Sequence, residues 1–179
     1  MPRVYLGVGS NIERERYITA GLDALEGLFG EMLLSPFYDS EAIGFEGQPF
    51  LNLVVGVSTD LAVGELQKRL RHIEYEHGRP ANATRNSPRQ LDIDILTYDD
   101  RVGMFEGVEL PRGEIVENAF VLKPLSDLAP MQRHPVDGRT YSELWADYDA
   151  TSQALRLVRL DWRGRVIGGS EPELKGVAG

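Results

Sequence analysis

Apolar and polar residues follow one another along the chain with two periods, one typical of strands and one typical of helices. Four short apolar runs predict buried strands, at residues 4–8, 32–38, 50–59 and 91–98. Apolar residues spaced three and four apart predict three amphipathic helices, at residues 14–29, 60–76 and 114–127. Gly30 is placed to end the first helix, and Asp60 to cap the second. Gly- and Pro-containing stretches at 40–49 and 78–88 predict loops.

The order of these elements predicts one domain of the α+β class. It reads β-α-β-β-α-β followed by a further helix, which is the ferredoxin-like order of an antiparallel sheet with helices packed on it. We predict a ferredoxin-like antiparallel sheet with flanking helices, in a three-layer arrangement. Weaker patterns predict a hairpin through Val108, a short helix at 140–147 and a late strand at 154–162. The domain is expected to cover residues 1–162, with the glycine-rich residues 163–179 as a flexible tail.

Composition and net charge exclude several classes of protein. The chain has 179 residues, a mass of 20.0 kDa and a net charge of −9, which disfavours broad binding of nucleic acid or of anionic membranes. The absence of cysteine excludes disulfides and thiolate chemistry, and the presence of only three histidines argues against a histidine-rich metal cage. The chain has no signal-like start and no apolar run near the ~18 residues of a membrane span. We therefore expect a cytoplasmic protein, either a monomer or a weak homo-oligomer.

The charge is unevenly distributed along the chain. Residues 68–89 hold six basic and two acidic residues, a net +4, so the rest of the chain carries −13. One interpretation is a solvated helix face followed by a polar loop. The other is a site for a small polyanion, because guanidinium groups donate paired hydrogen bonds to phosphate oxygens. Three arginines in or beside the predicted loop favour this second interpretation: Arg79, Arg85 and Arg89.

Two aspartates follow this basic stretch directly, within a predicted strand. Because side chains alternate along a strand, Leu91 and Ile93 should point into the core. Asp92 and Asp94 should then share the other face, with Cα atoms about 7 Å apart. A half-solvated strand would give the same pattern, but aspartate is a poor strand former, and two like charges this close need a positive group between them. Magnesium, which binds carboxylate and phosphate oxygens, is such a group, and the chain has no GxxxxGK[ST] phosphate loop.

Several phrases of the sequence, taken in order, carry a resemblance to a known family. They begin with YLGVGSN, continue through SPFYDSEAIGFEGQPFLNLVVGVST and IEYEHGR, and close with AFVLKPLSDLAP. The most specific phrase is PRQLDIDILTYDD, which matches a PR-x-LD-x-DI-x signature. Over about residues 3–130 the chain thus resembles the 6-hydroxymethyl-7,8-dihydropterin pyrophosphokinases of folate biosynthesis. The resemblance implies transfer of the terminal diphosphate of ATP to the hydroxymethyl oxygen of the pterin, with release of AMP.

The resemblance also implies roles for particular residues. Asp92 and Asp94 match the aspartates that hold two magnesium ions between the triphosphate and the attacking hydroxyl, and Arg79 and Arg89 are further catalytic residues. The implied nucleotide-binding residues are Glu74, Arg85, Ile95 and Arg112. The implied pterin-binding residues are Ser40, Ile43, Phe50, Asn52 and Phe120. Without the resemblance, core packing is the simpler interpretation of both phenylalanines, whereas an Asn within an apolar strand needs hydrogen-bond partners.

The chain departs from the family's pattern at several positions. Arg112 stands where the family usually has His, Ala81 and Asn118 where it commonly has Arg, and Asn86 where some members have Trp. Arg112 still offers donors to phosphate. Two hypotheses follow: a divergent pyrophosphokinase, or a non-catalytic or altered-specificity paralogue that binds pterin or nucleotide. A ferredoxin-like RNA-binding module is disfavoured by the acidic balance and by the lack of exposed-aromatic strand motifs.

Overall fold

The computed structural model describes residues 1–40, 49–77 and 90–163, and the backbone of 165–167. The helices among these residues are α1 (Arg14–Phe29), α2 (Val63–Glu76), α3 (Glu114–Glu117), α4 (Ala119–Leu128) and α5 (Tyr141–Ala146). The strands are β1 (Arg3–Ser10), β2 (Leu33–Leu34), β3 (Phe37–Ser40), β4 (Phe50–Ser58), β5 (Asp92–Tyr98), β6 (Gly103–Phe105), β7 (Val108–Leu110), β8 (Leu155–Val158), β9 (Leu160–Trp162) and β10 (Arg165–Ile167). Most of the loop predicted at 40–49 and all of the loop predicted at 78–88 lie outside the described residues.

A central antiparallel sheet has the order β5-β1-β4-β3-β8, and β2 also pairs with β4. The first four positions follow the ferredoxin-like order, in which the first strand lies between the third and fourth strands of the βαββαβ unit. β8 extends the sheet at one edge, and β5 forms the other edge. The predicted α+β, ferredoxin-like fold is confirmed.

The sheet is covered by helices on both faces, so the predicted three-layer arrangement is also confirmed. On one face, alternate residues such as Leu6 and Ile93 pack with α1 and α2 in the larger core. On the other face, Tyr5, Val54 and Leu96 pack with α3, α4 and α5 in a second, smaller core. β1, β4 and β5 therefore each supply buried side chains to both layers, because their side chains alternate.

The strand predicted at 32–38 is in fact two strands, β2 and β3. Ser35 interrupts the strand because its side chain, rather than its backbone carbonyl, binds β4. Its Oγ accepts a hydrogen bond from the N–H of Val54 at 2.8 Å. Pro36 follows and has no N–H to donate to a neighbouring strand. The single strand predicted at 154–162 is likewise divided: β8 joins the central sheet, whereas β9 pairs with β10. β10 lies within the stretch predicted as a tail.

Two helix boundaries also differ from the prediction. α2 begins at Val63 after Ala62, not at Asp60, because the Thr59 hydroxyl accepts the N–H of Leu61 at 3.1 Å and holds these residues in a turn. The helix predicted at 114–127 is interrupted at residue 118, which has an extended backbone and separates α3 from α4. The predicted end of α1 at Gly30 is confirmed, with a φ of 76°. Among the described residues, no helix has the length and hydropathy to cross a bilayer.

The approach of α1 to β5 gives a test of core packing. A Cβ added to Gly21 would lie 2.9 Å from Cδ1 of the buried Leu91, whereas a Cβ on Gly27 of the same helix meets nothing within 4 Å. Gly21→Ala should therefore overpack the core and lower the free energy of unfolding by about 1–2 kcal/mol. Gly27→Ala should raise it by up to about 1 kcal/mol through helix propensity. Urea unfolding of both variants checks this prediction. Equal stabilisation by both would show that the Leu91 side chain moves aside without a cost in stability.

Candidate active site

The candidate site lies on one face of the central sheet, where β1 presents glycines instead of side chains. Gly9 pairs with Asp92 on β5 and with Asn52 on β4, and Gly7 pairs with Asp94. The missing side chains leave a trough between the aspartates and β4, with a cavity of about 50 Å³. The predicted alternation is present: both aspartates are half-buried on this face, and their apolar neighbours on β5 are buried on the other.

A β-bulge in β5 brings the segment between β7 and α3 to this trough. Tyr5 pairs with Thr97 and Leu6 with Ile95, so Leu96 is an extra residue in the ladder with β1. Its carbonyl instead accepts the backbone N–H of Arg112 at 2.9 Å. The bulge therefore fixes Arg112 against the strand that carries the aspartates.

Two guanidinium groups flank the Asp94 carboxylate, one from each neighbouring segment. Nη2 of Arg71, on α2, lies 3.8 Å from Oδ1, and Nη2 of Arg112 lies 3.8 Å from Oδ2. Both distances exceed hydrogen-bond length, so the attraction is Coulombic. Nothing in the sequence patterns singles out Arg71 beyond its place in the basic stretch. Its spacing of three residues from Glu74 on one helix was the available signal.

Glu74 is fully buried and ties β5 to α2. Its Oε2 accepts the N–H of Ile93 at 2.7 Å, and its Oε1 accepts a hydrogen bond from Nη1 of Arg71 at 2.7 Å. The same Nη1 lies 3.3 Å from the Ile93 carbonyl oxygen. Because Ile93 stands between the two aspartates, these bonds hold the part of β5 that presents them. A contact of Glu74 with a nucleotide stays a prediction.

A polar chain leads from Arg112 to the C-terminal part of the protein. Arg112 donates to Glu114 from Nε at 2.8 Å, and its Nη2 lies 2.5 Å from the same Oε1. Nδ2 of Asn118 lies 3.4 Å from the other oxygen of Glu114, and Gln153 donates to Oδ1 of Asn118 at 3.0 Å. Gln153 Oε1 also accepts the N–H of Ala119 at 2.8 Å, which caps the start of α4. These contacts were not foreseen, because Gln153 is distant in sequence.

The residues predicted to bind the pterin occupy different places around the trough. Asn52 and Phe120 line it, and Asn52 donates a hydrogen bond from Nδ2 to Oγ of the buried Ser40 at 3.1 Å. Phe50 is half-buried at the start of β4, opposite Ser40 in register, and is not among the lining residues. Ile43 lies outside the described residues.

A second cavity, of about 630 Å³, adjoins the trough. Asp94, Arg112 and Glu114 line both cavities, and Ile95, Met104 and Gln67 are among the further lining residues of the larger one. The predicted nucleotide-binding residues Ile95 and Arg112 are thus brought together here. Three arginines predicted for the site lie outside the described residues: Arg79, Arg85 and Arg89.

The protonation of Asp94 is strongly perturbed in the metal-free protein. Burial is the main cause and the neighbouring Asp92 carboxylate the second, and they raise the pKa of Asp94 to about 7. The positive charge of Arg112 opposes this rise, Glu114 adds to it, and Arg71 opposes it less strongly. Near neutral pH the metal-free site therefore carries a carboxyl group that is only partly ionised, and it gains a strong interaction when a cation arrives.

The donor atoms of the trough fit a magnesium site. Two carboxylates two residues apart on one strand offer the hard oxygen ligands that Mg²⁺ prefers. Among the described residues, no group of three or more His, Cys, Asp and Glu side chains could hold a metal ion by itself. Asp92 and Asp94 would therefore share an ion with water and with oxygens of a substrate, which is the usual manner of Mg²⁺ binding.

The perturbed pKa of Asp94 predicts a pH-dependent stability. Because this pKa is about 7 in the folded protein and 3.8 in an ordinary aspartate, the metal-free protein should lose stability as the pH rises from about 4 to 7. Asp94→Asn cannot ionise and should abolish that loss. In urea unfolding with a chelator present, we expect the variant to be more stable than wild type at pH 8, by up to about 4 kcal/mol, and similar at pH 4.

Asp60, which is exposed, supplies the control. Asp60→Asn should leave the stability change between pH 4 and pH 8 as it is in wild type. If Asp94→Asn were destabilising at pH 8, or if Asp60→Asn gave the same gain, ionisation of Asp94 would not be the source of the pH dependence.

Comparisons with known proteins identify the family of this chain. The family model for 7,8-dihydro-6-hydroxymethylpterin-pyrophosphokinase matches residues 5–130. Two relatives are named 2-amino-4-hydroxy-6-hydroxymethyldihydropteridine pyrophosphokinase. The one from Pseudomonas aeruginosa is 42% identical over 148 residues, covering 80% of this chain and 90% of the relative. The one from Aquifex aeolicus is 36% identical over 138 residues, covering 76% and 86%.

Longer proteins contain a similar part. The folic acid synthesis protein fol1 of Pneumocystis carinii is 36% identical over 155 residues, which cover 82% of this chain and 20% of that protein. In structure, the chain is similar to Plasmodium falciparum HPPK-DHPS, with a TM-score of 0.68 and 15% identity, covering 96% of this chain and 49% of that one. The resemblance stated from the sequence is confirmed: the chain belongs to the 7,8-dihydro-6-hydroxymethylpterin-pyrophosphokinase family.

Proposed function

We propose that this protein transfers the terminal diphosphate of ATP to the hydroxymethyl oxygen of 6-hydroxymethyl-7,8-dihydropterin, a step of folate biosynthesis. A bond forms between that oxygen and the β-phosphorus, the bond from the β-phosphorus to the bridging oxygen of the α-phosphate breaks, and AMP leaves. The hydroxyl proton passes to solvent. The observation that carries the proposal is the position of the aspartate pair, because Asp94 lines both the glycine-floored trough and the larger cavity beside it.

The trough suits the flat pterin ring. Phe120 offers an apolar face for stacking, and Asn52 offers a carboxamide that can bind the polar edge of a heterocycle. The hydrogen bond from Asn52 to Ser40 fixes the orientation of that carboxamide. Phe50, at the start of β4, and Ile43, in the segment that precedes it, are the further residues of the proposed pterin site.

The larger cavity suits the nucleotide. Its volume of about 630 Å³ accommodates a nucleoside triphosphate, and Arg112 stands where this cavity meets the aspartates. Glu74 holds β5 beside this cavity through the N–H of Ile93, and Ile95 is one of the lining residues. Arg79, Arg85 and Arg89 are proposed to bind phosphate oxygens from the basic segment between α2 and β5.

Asp92 and Asp94 would hold two magnesium ions. When bound, the ions neutralise charge on the triphosphate and lower the pKa of the substrate hydroxyl. Among the described residues around Asp94, four carboxylates (Asp92, Asp94, Glu74 and Glu114) and two guanidinium groups (Arg71 and Arg112) sum to −2 when all are ionised, which opposes the approach of a bare triphosphate of charge near −4 to the aspartates. The protein itself contributes orientation of the two substrates and fixed positive charge. ATP should therefore bind only together with metal.

We infer that the reaction takes place in the cytoplasm and that the protein acts as a monomer or a weak homo-oligomer. A non-catalytic or altered-specificity paralogue is the second candidate. It is favoured by the departures at Ala81 and Asn118, of which the second has its carboxamide bound to Glu114 and Gln153. The assay below separates the two.

Product analysis tests the proposed reaction. Purified protein, ATP, Mg²⁺ and the hydroxymethyl dihydropterin should yield AMP and the diphosphorylated pterin. Asp92→Ala and Asp94→Ala should each lower kcat by about a thousandfold or more, equivalent to ~4 kcal/mol, because each removes a metal ligand. Their circular dichroism should match wild type. ADP as the product would contradict diphosphate transfer, and pterin binding without turnover would favour the paralogue.

The role of Asn52 is tested through its glycine neighbour. A Cβ on Gly9 would lie 2.6 Å from Oδ1 of Asn52, so Gly9→Ala should displace the carboxamide with little change in stability. We expect pterin affinity to fall by about tenfold, the value of one good hydrogen bond. Because both changes act on one carboxamide, the loss of pterin affinity in Gly9→Ala combined with Asn52→Ala should be smaller than the sum of the two single losses. Additive losses in calorimetry would contradict this coupling.

A further inference from the structure

We propose that Arg71 is a second phosphate-binding cation of this site, a counter-ion of Asp94 in the absence of nucleotide and a ligand of the triphosphate when a metal–nucleoside triphosphate is bound. This inference rests on the proposed function, because it concerns the nucleotide side of the same site. Arg71 and Arg112 would then bind the phosphates from two sides.

The geometry of Arg71 parallels that of Arg112. Each guanidinium is held by a glutamate, Arg71 by Glu74 and Arg112 by Glu114, and each points Nη2 at a different oxygen of Asp94 from 3.8 Å. Neither reaches hydrogen-bond distance. In both, a carboxylate orients the arginine while a donor faces the point where the phosphates would meet the aspartates.

Arg71 lies beside the larger cavity, which Gln67 and Asp94 line. It lies one helical turn after Gln67, which lines the larger cavity, so the two side chains project from the same face of α2. Its side chain is 27% exposed, whereas its anchor Glu74 is 0% exposed. Nη1 of the guanidinium is therefore held at a buried carboxylate, whereas Nη2, which faces Asp94, can turn to a ligand. The planar fork of arginine suits two oxygens of a phosphate group.

The charge balance explains how one residue can serve both states. Without metal, Arg71 lowers the repulsion between Asp94 and the neighbouring carboxylates. Metal ions held by the two aspartates would take over that task and would repel the guanidinium. A triphosphate bound with the metal would supply new acceptors for Nη2. Arg71 should therefore weaken the binding of metal alone and strengthen the binding of the metal–nucleotide complex.

The opposite effects on metal affinity and on metal–nucleotide affinity distinguish a phosphate-binding Arg71 from an Arg71 that only anchors β5. The first test is calorimetric titration of Arg71→Gln with Mg²⁺ and α,β-methylene-ATP, in which a methylene group replaces the oxygen between the α- and β-phosphorus and so prevents cleavage. The second is titration with Mn²⁺ alone, followed by electron paramagnetic resonance. We expect the affinity for the metal–nucleotide analogue to fall by tenfold or more and the affinity for Mn²⁺ alone to stay the same or rise. Arg71→Lys, which keeps the charge, should recover part of the nucleotide affinity.

Arg69→Gln is the matched control, because Arg69 lies on the same helix but pairs with Glu65 at 2.9 Å on an exposed surface. It should bind both probes as wild type does. Unchanged nucleotide affinity in Arg71→Gln would overturn the inference, and so would a parallel loss of Mn²⁺ binding and thermal stability, which would mark Arg71 as an anchor of β5. If wild type bound no metal–nucleotide analogue, the proposed function would fail together with this inference.

Discussion

The burial of two neighbouring carboxylates, Asp92 and Asp94, is the constraint on which the rest of the site depends. Burial of Asp94 is the larger cost, and two unit charges about 7 Å apart add a repulsion of roughly 2 kcal/mol at an effective dielectric constant of 20. The fold keeps them there by rigid means. The N–H of Ile93, between the aspartates, is bound by the buried Glu74, and Gly7 and Gly9 keep the space in front of them open. Cation binding offsets this electrostatic cost, because the positive charge lies between the two carboxylates. The carboxylates are already in place, so binding needs no rearrangement of the protein.

An acidic chain can hold a phosphate-bearing substrate because charge is organised locally rather than over the whole surface. The net charge of −9 applies to the entire protein, whereas the site places two guanidinium groups within 3.8 Å of one carboxylate. Long polyanions need a broad basic face, which the net charge of −9 disfavours. A single triphosphate needs only a few directed donors and the metal that it brings. The acidic composition thus argues against a long polyanion but not against a small, highly charged ligand such as a triphosphate.

The sequence predicted the parts of the fold that depend on local patterns. The alternation around Asp92 and Asp94 correctly placed them on one face, and the bounds of α1 followed from its apolar spacing and Gly30. What could not be predicted depends on contacts between distant residues. The contacts that make Arg71 part of the site are with Ile93 and Asp94, which lie about twenty residues later in the chain. The break at Asn118 depends on Gln153, 35 residues later. Local propensity depends on neighbouring residues only, so it does not indicate the distant partners of Arg71 or Asn118.

The position of β5 at the edge of the sheet explains why cations gather beside the aspartates. An edge strand has N–H and C=O groups that no neighbouring strand satisfies, and folded proteins cover them. Here α2 covers the edge at Ile93 with Glu74 and Arg71, and the segment before α3 covers it at Leu96 with the backbone of Arg112. The elements that satisfy the free edge are thus the elements that carry the two arginines. Edge protection and site assembly are one arrangement, so moving the aspartates to a central strand would remove the places from which both guanidinium groups reach Asp94.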